Sequence, residues 1–107
     1  MKVAITRERN EEAILKSTLD RLSYHFDSVI AFDDCSTDGT RDILSEHKLV
    51  KRVIASDKWE SLSEVRKTLE TTQRQDLYDY AMRKEEKIDW MLYFDADEHF
   101  YFDAIEW

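Results

Sequence analysis

The stretch Met91-Leu92-Tyr93-Phe94-Asp95-Ala96-Asp97-Glu98 decides how this chain is read. Four apolar or aromatic residues run directly into three carboxylates within four positions. A short apolar run of this kind reads as a buried strand. Acidic residues at its tip emerge at the carboxyl edge of a sheet, where open α/β folds place their ligands. Asp95 and Asp97, spaced Asp-x-Asp, offer hard oxygen ligands for a divalent cation. A bound cation in turn suggests a phosphate-bearing substrate.

Three further strands precede this one. Residues 3–6 form a short apolar segment, and residues 28–32 are β-rich and close on Asp33-Asp34. Residues 50–55 form a third strand, which Lys51 and Arg52 make half polar, as suits a sheet edge. Helical spacing fills the gaps. Asn10 is the candidate N-cap of a first helix over residues 11–24, with Glu11 and Glu12 in its favourable first turn. Ile14, Leu15, Thr18, Leu19 and Leu22 trace its buried face. The turn Ser36-Thr37-Asp38-Gly39-Thr40 leads into a second helix carrying Ile43 and Leu44 and ending near His47. Residues 60–87 are helical again, along a face of Leu62, Val65, Leu69, Gln73, Leu77, Tyr80, Ala81 and Lys84. The polar tract over residues 69–76 predicts a break into two helices. Trp90, at the start of the last strand, is expected to pack. The order β-α-β-α-β-α-β implies an α/β, Rossmann-like parallel sheet of about four strands with flanking helices.

Composition bounds the rest. The 107 residues suit a single domain. A hydrophobic content of 42% supports a core, and the 37% of charged residues are of mixed sign, which argues against disorder. The net charge of −8 argues against nucleic acid or an anionic membrane as partner through bulk charge. No stretch approaches the roughly 18 apolar residues of a membrane span. The N-terminus turns charged too soon for a signal peptide. The one cysteine, Cys35, excludes an internal disulfide and reads as a small space-filler. A cytoplasmic location is expected. With no proline and one glycine, Gly39 is expected where backbone freedom is needed. His25, His47 and His99 are too scattered for a zinc site. The aromatic tail from His99 to Trp107 would form an unusual exposed patch, suggesting a truncated chain or association through that tail.

Three polar clusters fall at strand ends, and a parallel sheet brings them to one edge. They are residues 6–11, residues 33–40 and residues 95–98. Repulsion among their carboxylates opposes folding unless a cation or hydrogen-bond donors lie between them. Each has a plainer reading alone. Asp33-Asp34 makes a turn with a cap, Asp-x-Asp arises by chance in an acidic chain, and Asn10-Glu11 caps a helix. Their coincidence at one edge favours a site.

In these features the chain resembles a family 2 glycosyltransferase, with the nucleotide-sugar-binding GT-A fold. The likeness rests on Arg9-Asn10-Glu11-Glu12 after the first strand, on the run Phe32-Asp33-Asp34-Cys35-Ser36-Thr37-Asp38-Gly39-Thr40, and on Trp90 through Glu98. It covers the whole chain, but only the nucleotide-binding half of the family's usual domain. The resemblance implies that Thr6 and Arg7 line the base pocket and that Asp34 hydrogen-bonds the nucleobase, with Asp33 structural. It implies that Asp97 ligates Mg²⁺ or Mn²⁺ bridging the diphosphate and that Asp95 contacts the metal or the ribose. Arg74 stands near where members carry a diphosphate-facing arginine. The implied donor is a nucleotide sugar, UDP-linked by preference, and the acceptor is left open. Inverting members use a carboxylate base well downstream of Asp-x-Asp. That base and the acceptor half are expected beyond Trp107.

Other classes stay in play. A HAD-like phosphatase also uses Asp-x-Asp at a strand end, but on its first strand. A receiver-like domain would need a phosphoacceptor aspartate on the strand after Asp33-Asp34. A non-catalytic nucleotide-binding or association remnant of a transferase keeps the sheet without the chemistry.

Overall fold

The first strand of the chain is central in the sheet. A computed structural model describes residues 1–59, 62–84 and 87–96. Strands β1 (Lys2–Glu8), β2 (Ser28–Asp34), β3 (Val50–Ser56) and β4 (Trp90–Phe94) form one sheet in the order β3-β2-β1-β4. Every pairing is parallel. The α/β class and the count of four strands are as the sequence implies. Asp97, Glu98 and the aromatic tail lie outside the described residues.

Helices α1 (Glu12–Leu22) and α2 (Thr40–Glu46) connect strands stepping one way across the sheet. Helix α3 (Ser63–Lys84) carries the chain back past β2 and β1 to β4. Parallel crossovers are right-handed, so reversing the winding direction moves the helix to the other face. The core divides accordingly. Ala4, Val29, Ala31 and Phe94 pack with Leu15, Leu19, Leu22 and Leu44 of α1 and α2. Val3, Ile5, Ile30 and Phe32 pack with Leu77 and Ala81 of α3. The period-two alternation of β1 and β2 thus feeds two apolar layers, and β2 is buried along its whole length, as an inner parallel strand should be. Fully burying each of the larger side chains contributes about 1.5–3 kcal/mol. No helix among the described residues is long and apolar enough to cross a membrane.

Local structure departs from the sequence reading at four points. Helix α3 is unbroken through its polar middle. Thr68, Thr71 and Thr72 return their hydroxyls to the carbonyls of Glu64, Lys67 and Thr68, so the polar residues satisfy themselves inside the helix. The N-cap of α1 is Glu11, not Asn10, and its own side chain makes no capping bond. Asp38 in the neighbouring loop and Thr40 at the start of α2 cap it, accepting from Glu12 N at 3.3 Å and Glu11 N at 2.8 Å. Gly39 has an ordinary φ of −79°. Its small size matters instead, because a Cβ there would stand 2.5 Å from Glu12 Oε1. Trp90 is 49% exposed on an edge strand rather than packed away.

Candidate functional site

The winding direction reverses between β1 and β4. Open α/β sheets place their ligands at the carboxyl edge beside such a reversal. Thr6 pairs with Phe94 across this junction. The Thr6 hydroxyl, fully buried, donates to Phe94 O at 2.8 Å and also contacts the Glu8 carboxylate. On the far side of Asp95, the buried Thr18 hydroxyl of α1 donates to Ala96 O at 2.7 Å. Asp95 is therefore held between two pinned carbonyls at the carboxyl edge of the sheet. Thr6, which the resemblance places at a base pocket, turns its side chain toward β4.

Asp34, one strand away at the tip of β2, is 1% exposed. Arg7 Nη2 donates to its Oδ2 at 2.9 Å, and Arg66 Nη2 donates to the same oxygen. Gln73 Nε2 approaches Oδ1 at 3.5 Å, while Gln73 Oε1 accepts from Arg7 Nε. Glu70 lies 3.7 Å from Arg7 on the outer side. The structure thus joins two sequence candidates, Arg7 and Asp34, into one buried network. A ligand N–H can reach Asp34 only by displacing one of these donors. Asp33 is fully buried and ties to Arg41 at 2.8 Å and to Ser36 N at 3.3 Å, a structural arrangement.

Arg74, the remaining candidate, lies over the Tyr93 ring at 4.6 Å. It borders a cavity of about 450 Å³ that Ile5, Thr71 and Tyr78 also line. The Tyr93 hydroxyl is buried beside the Arg74 guanidinium, whose charge favours the phenolate. Burial pushes its pKa above the ordinary 10.0.

The loops that follow β1 and β2 at the carboxyl edge are stapled together. Asn10 (φ 55°) and Cys35 (φ 56°) both adopt the left-handed conformation just past β1 and β2. Asn10 suits that region; Cys35 pays about 1–2 kcal/mol for it. Cys35 is therefore a bend at the site edge more than a space-filler. Asn10 N donates to Ser36 Oγ at 3.1 Å, and Thr37 N donates to Asn10 Oδ1 at 2.8 Å. Asp38 accepts from Thr40 N at 2.9 Å as well as from α1. Burial works against its charged form, but bonds from Thr40 and Glu12 outweigh this and hold its pKa below 3.8.

For a divalent cation, Asp95 is the one member of Asp-x-Asp among the described residues. No group of three or more His, Cys, Asp or Glu is placed to hold an ion among those residues. Of the two candidate ligands, Asp95 is among the described residues and Asp97 lies outside them.

Several residues of this edge carried no motif in the sequence. Arg66 and Gln73 reach Asp34 from α3, and Thr18 reaches β4 from α1. The available signal was spacing: Arg66, Gln73 and Leu77 share one helical face, whose other members are buried. Trp59, just past β3, carries two guanidinium groups, Arg9 at 3.6 Å and Arg66 at 4.0 Å.

A larger cavity, about 730 Å³, lies at the opposite, amino edge between the ends of α1 and α2. His47 there accepts from Leu49 N at 3.1 Å and faces Asp20 at 2.8 Å. With both ring nitrogens engaged, it ties α2 to α1.

No family model matches the chain. Two curated relatives, uncharacterized proteins of Mycobacterium bovis and Mycobacterium tuberculosis, are each 40% identical to it over 52 residues. That stretch is 49% of this chain but 13% of each relative, so the similarity spans a small part of much longer proteins.

Proposed function

We propose that the chain binds a nucleotide-diphospho-sugar at the carboxyl edge, as the donor half of a glycosyltransferase whose acceptor is left open. The observation that carries this reading is the bracketing of Asp95 by Thr6 and Thr18 at the reversal of winding, beside the Arg7–Asp34 network. Open α/β sheets bind ligands at that point. In this reading Asp34 receives the nucleobase, a uracil by preference, once Arg66 or Gln73 has moved aside. Arg7 and Arg74 then face the anionic part of the donor. Mg²⁺ or Mn²⁺, held by Asp95 and Asp97, would supply counter-charge to the diphosphate leaving group. The unpaired Cys35 suits a reducing compartment, and we place the chain in the cytoplasm.

Calorimetric titration with UDP and UDP-sugars, with and without Mn²⁺, tests the reading. Binding that needs the cation and disappears in Asp97→Ala is the expected result. A folded chain that takes up no nucleotide overturns it.

A further inference from the structure

The Arg9–Trp59–Arg66 cluster has a feature that the nucleotide reading does not use. Arg9 follows β1 directly, Arg66 lies in the first turn of α3, and the Trp59 indole joins them. Arg66 spends one terminal nitrogen on Asp34, yet its Nη1 is buried with no hydrogen-bond partner. Arg9 Nε is likewise buried and unpartnered. Among the described residues no carboxylate pairs with Arg9, although the chain carries a net charge of −8. Buried guanidinium N–H groups without acceptors are costly and rare, so two beside one indole mark missing acceptors.

We propose that Arg9 and Arg66 form an anion subsite for a phosphate or diphosphate group. Guanidinium donors match phosphate oxygens in geometry and charge. The acidic chain disfavours a long polyanion, which leaves a compact ligand. Trp59 is 45% exposed, so it is the part of the cluster free to shift when the anion reaches the covered N–H groups. Its indole is then both cover and reporter. The subsite stands on these three side chains and does not rest on the nucleotide reading.

Inorganic pyrophosphate without metal is the probe, titrated into the full chain while tryptophan fluorescence and heat are recorded. Saturable, salt-sensitive binding is expected. Arg9→Gln weakens it about tenfold, as loss of a charge-assisted hydrogen bond should. Arg9→Lys, which keeps the charge but lacks the Nε–H, also weakens it. Trp59→Phe removes the fluorescence change while the heat remains. Absence of binding to the folded chain, or unaltered affinity in both Arg9 variants, overturns the proposal. The two readings separate cleanly. Pyrophosphate bound through Arg9 with no uptake of UDP and Mn²⁺ leaves the anion subsite standing alone. UDP and Mn²⁺ bound with no pyrophosphate binding removes the subsite and keeps the nucleotide reading.

Discussion

Thr6 and Thr18 grip the carbonyls on either side of Asp95, Phe94 O at 2.8 Å and Ala96 O at 2.7 Å. One hydroxyl comes from β1 and the other from α1, and both are buried. Thr18→Val keeps the shape and deletes the donor, leaving the Ala96 carbonyl unpartnered. A loss of about 1–3 kcal/mol in urea unfolding is expected. Nucleotide affinity should fall in the same variant, because the carboxylate between the two clamps loses its fixed position. Unchanged stability would show that the Ala96 carbonyl finds another donor.

Asp34 is the hub of the carboxyl edge, with Arg7 and Arg66 on one oxygen and Gln73 near the other. Removing the carboxylate strips two largely buried guanidinium groups of their shared partner. Asp34→Ala should cost about 3 kcal/mol, toward the lower end for a broken buried pair because both arginines keep some solvent contact. Arg7→Met should cost less, since Arg66 and Gln73 remain. Urea midpoints for the two variants give the ranking directly, and an equal or reversed order would contradict the hub.

The acid limb of stability should depend on Asp38. Its folded pKa lies below 3.8, so its contribution is fully present above that value and is lost as pH falls through the folded pKa. The stability difference between the parent chain and Asp38→Asn should therefore shrink below pH 3.8. Asp20, lowered by Lys16 and His47, and Asp89, lowered by the N-terminal amine, leave a residual acid limb in the variant. Unfolding curves collected across the acid range decide this; a pH-independent difference would count against the double cap.

Gly39→Ala should be mild. Its φ of −79° suits any residue, and the close atom belongs to the end of the Glu12 side chain, which can swing away. Alanine is also a poorer N-cap than glycine, so a cost of up to about 1 kcal/mol is expected. Most of the steric part should vanish in a Glu12→Ala background. A loss of several kcal/mol would point to backbone freedom after all.

The strands were legible because β-branched and aromatic runs carry their own signal, sharpened where β2 and β4 close on paired aspartates. The parallel order followed from the alternation of strand and helix. The polar middle of α3 misled because the partners of Gln73 are remote: Arg7 is 66 residues away in sequence and Asp34 is 39. Gln73 stood on the expected face of the helix, but its acceptor and donor arrive only in the fold. Asn10 misled for a similar reason, since the cap of α1 comes from Asp38 in another loop. Trp59 gave no motif at all, because its role depends on arginines from two other elements. Arg7 and Asp34, both named from the sequence, do meet, but as partners of one another.

The central position of β1 has a consequence for how the molecule comes into being. Its pairing with β2 closes a short loop, whereas the Thr6–Phe94 bond closes one of 88 residues. Long loops are entropically slower to close, so local pairing has the advantage over docking of the last strand. During synthesis the sheet can assemble three strands while the edge of β1 beside Thr6 is still unpaired. The place where a ligand would sit exists only once the end of the described chain has returned to its beginning.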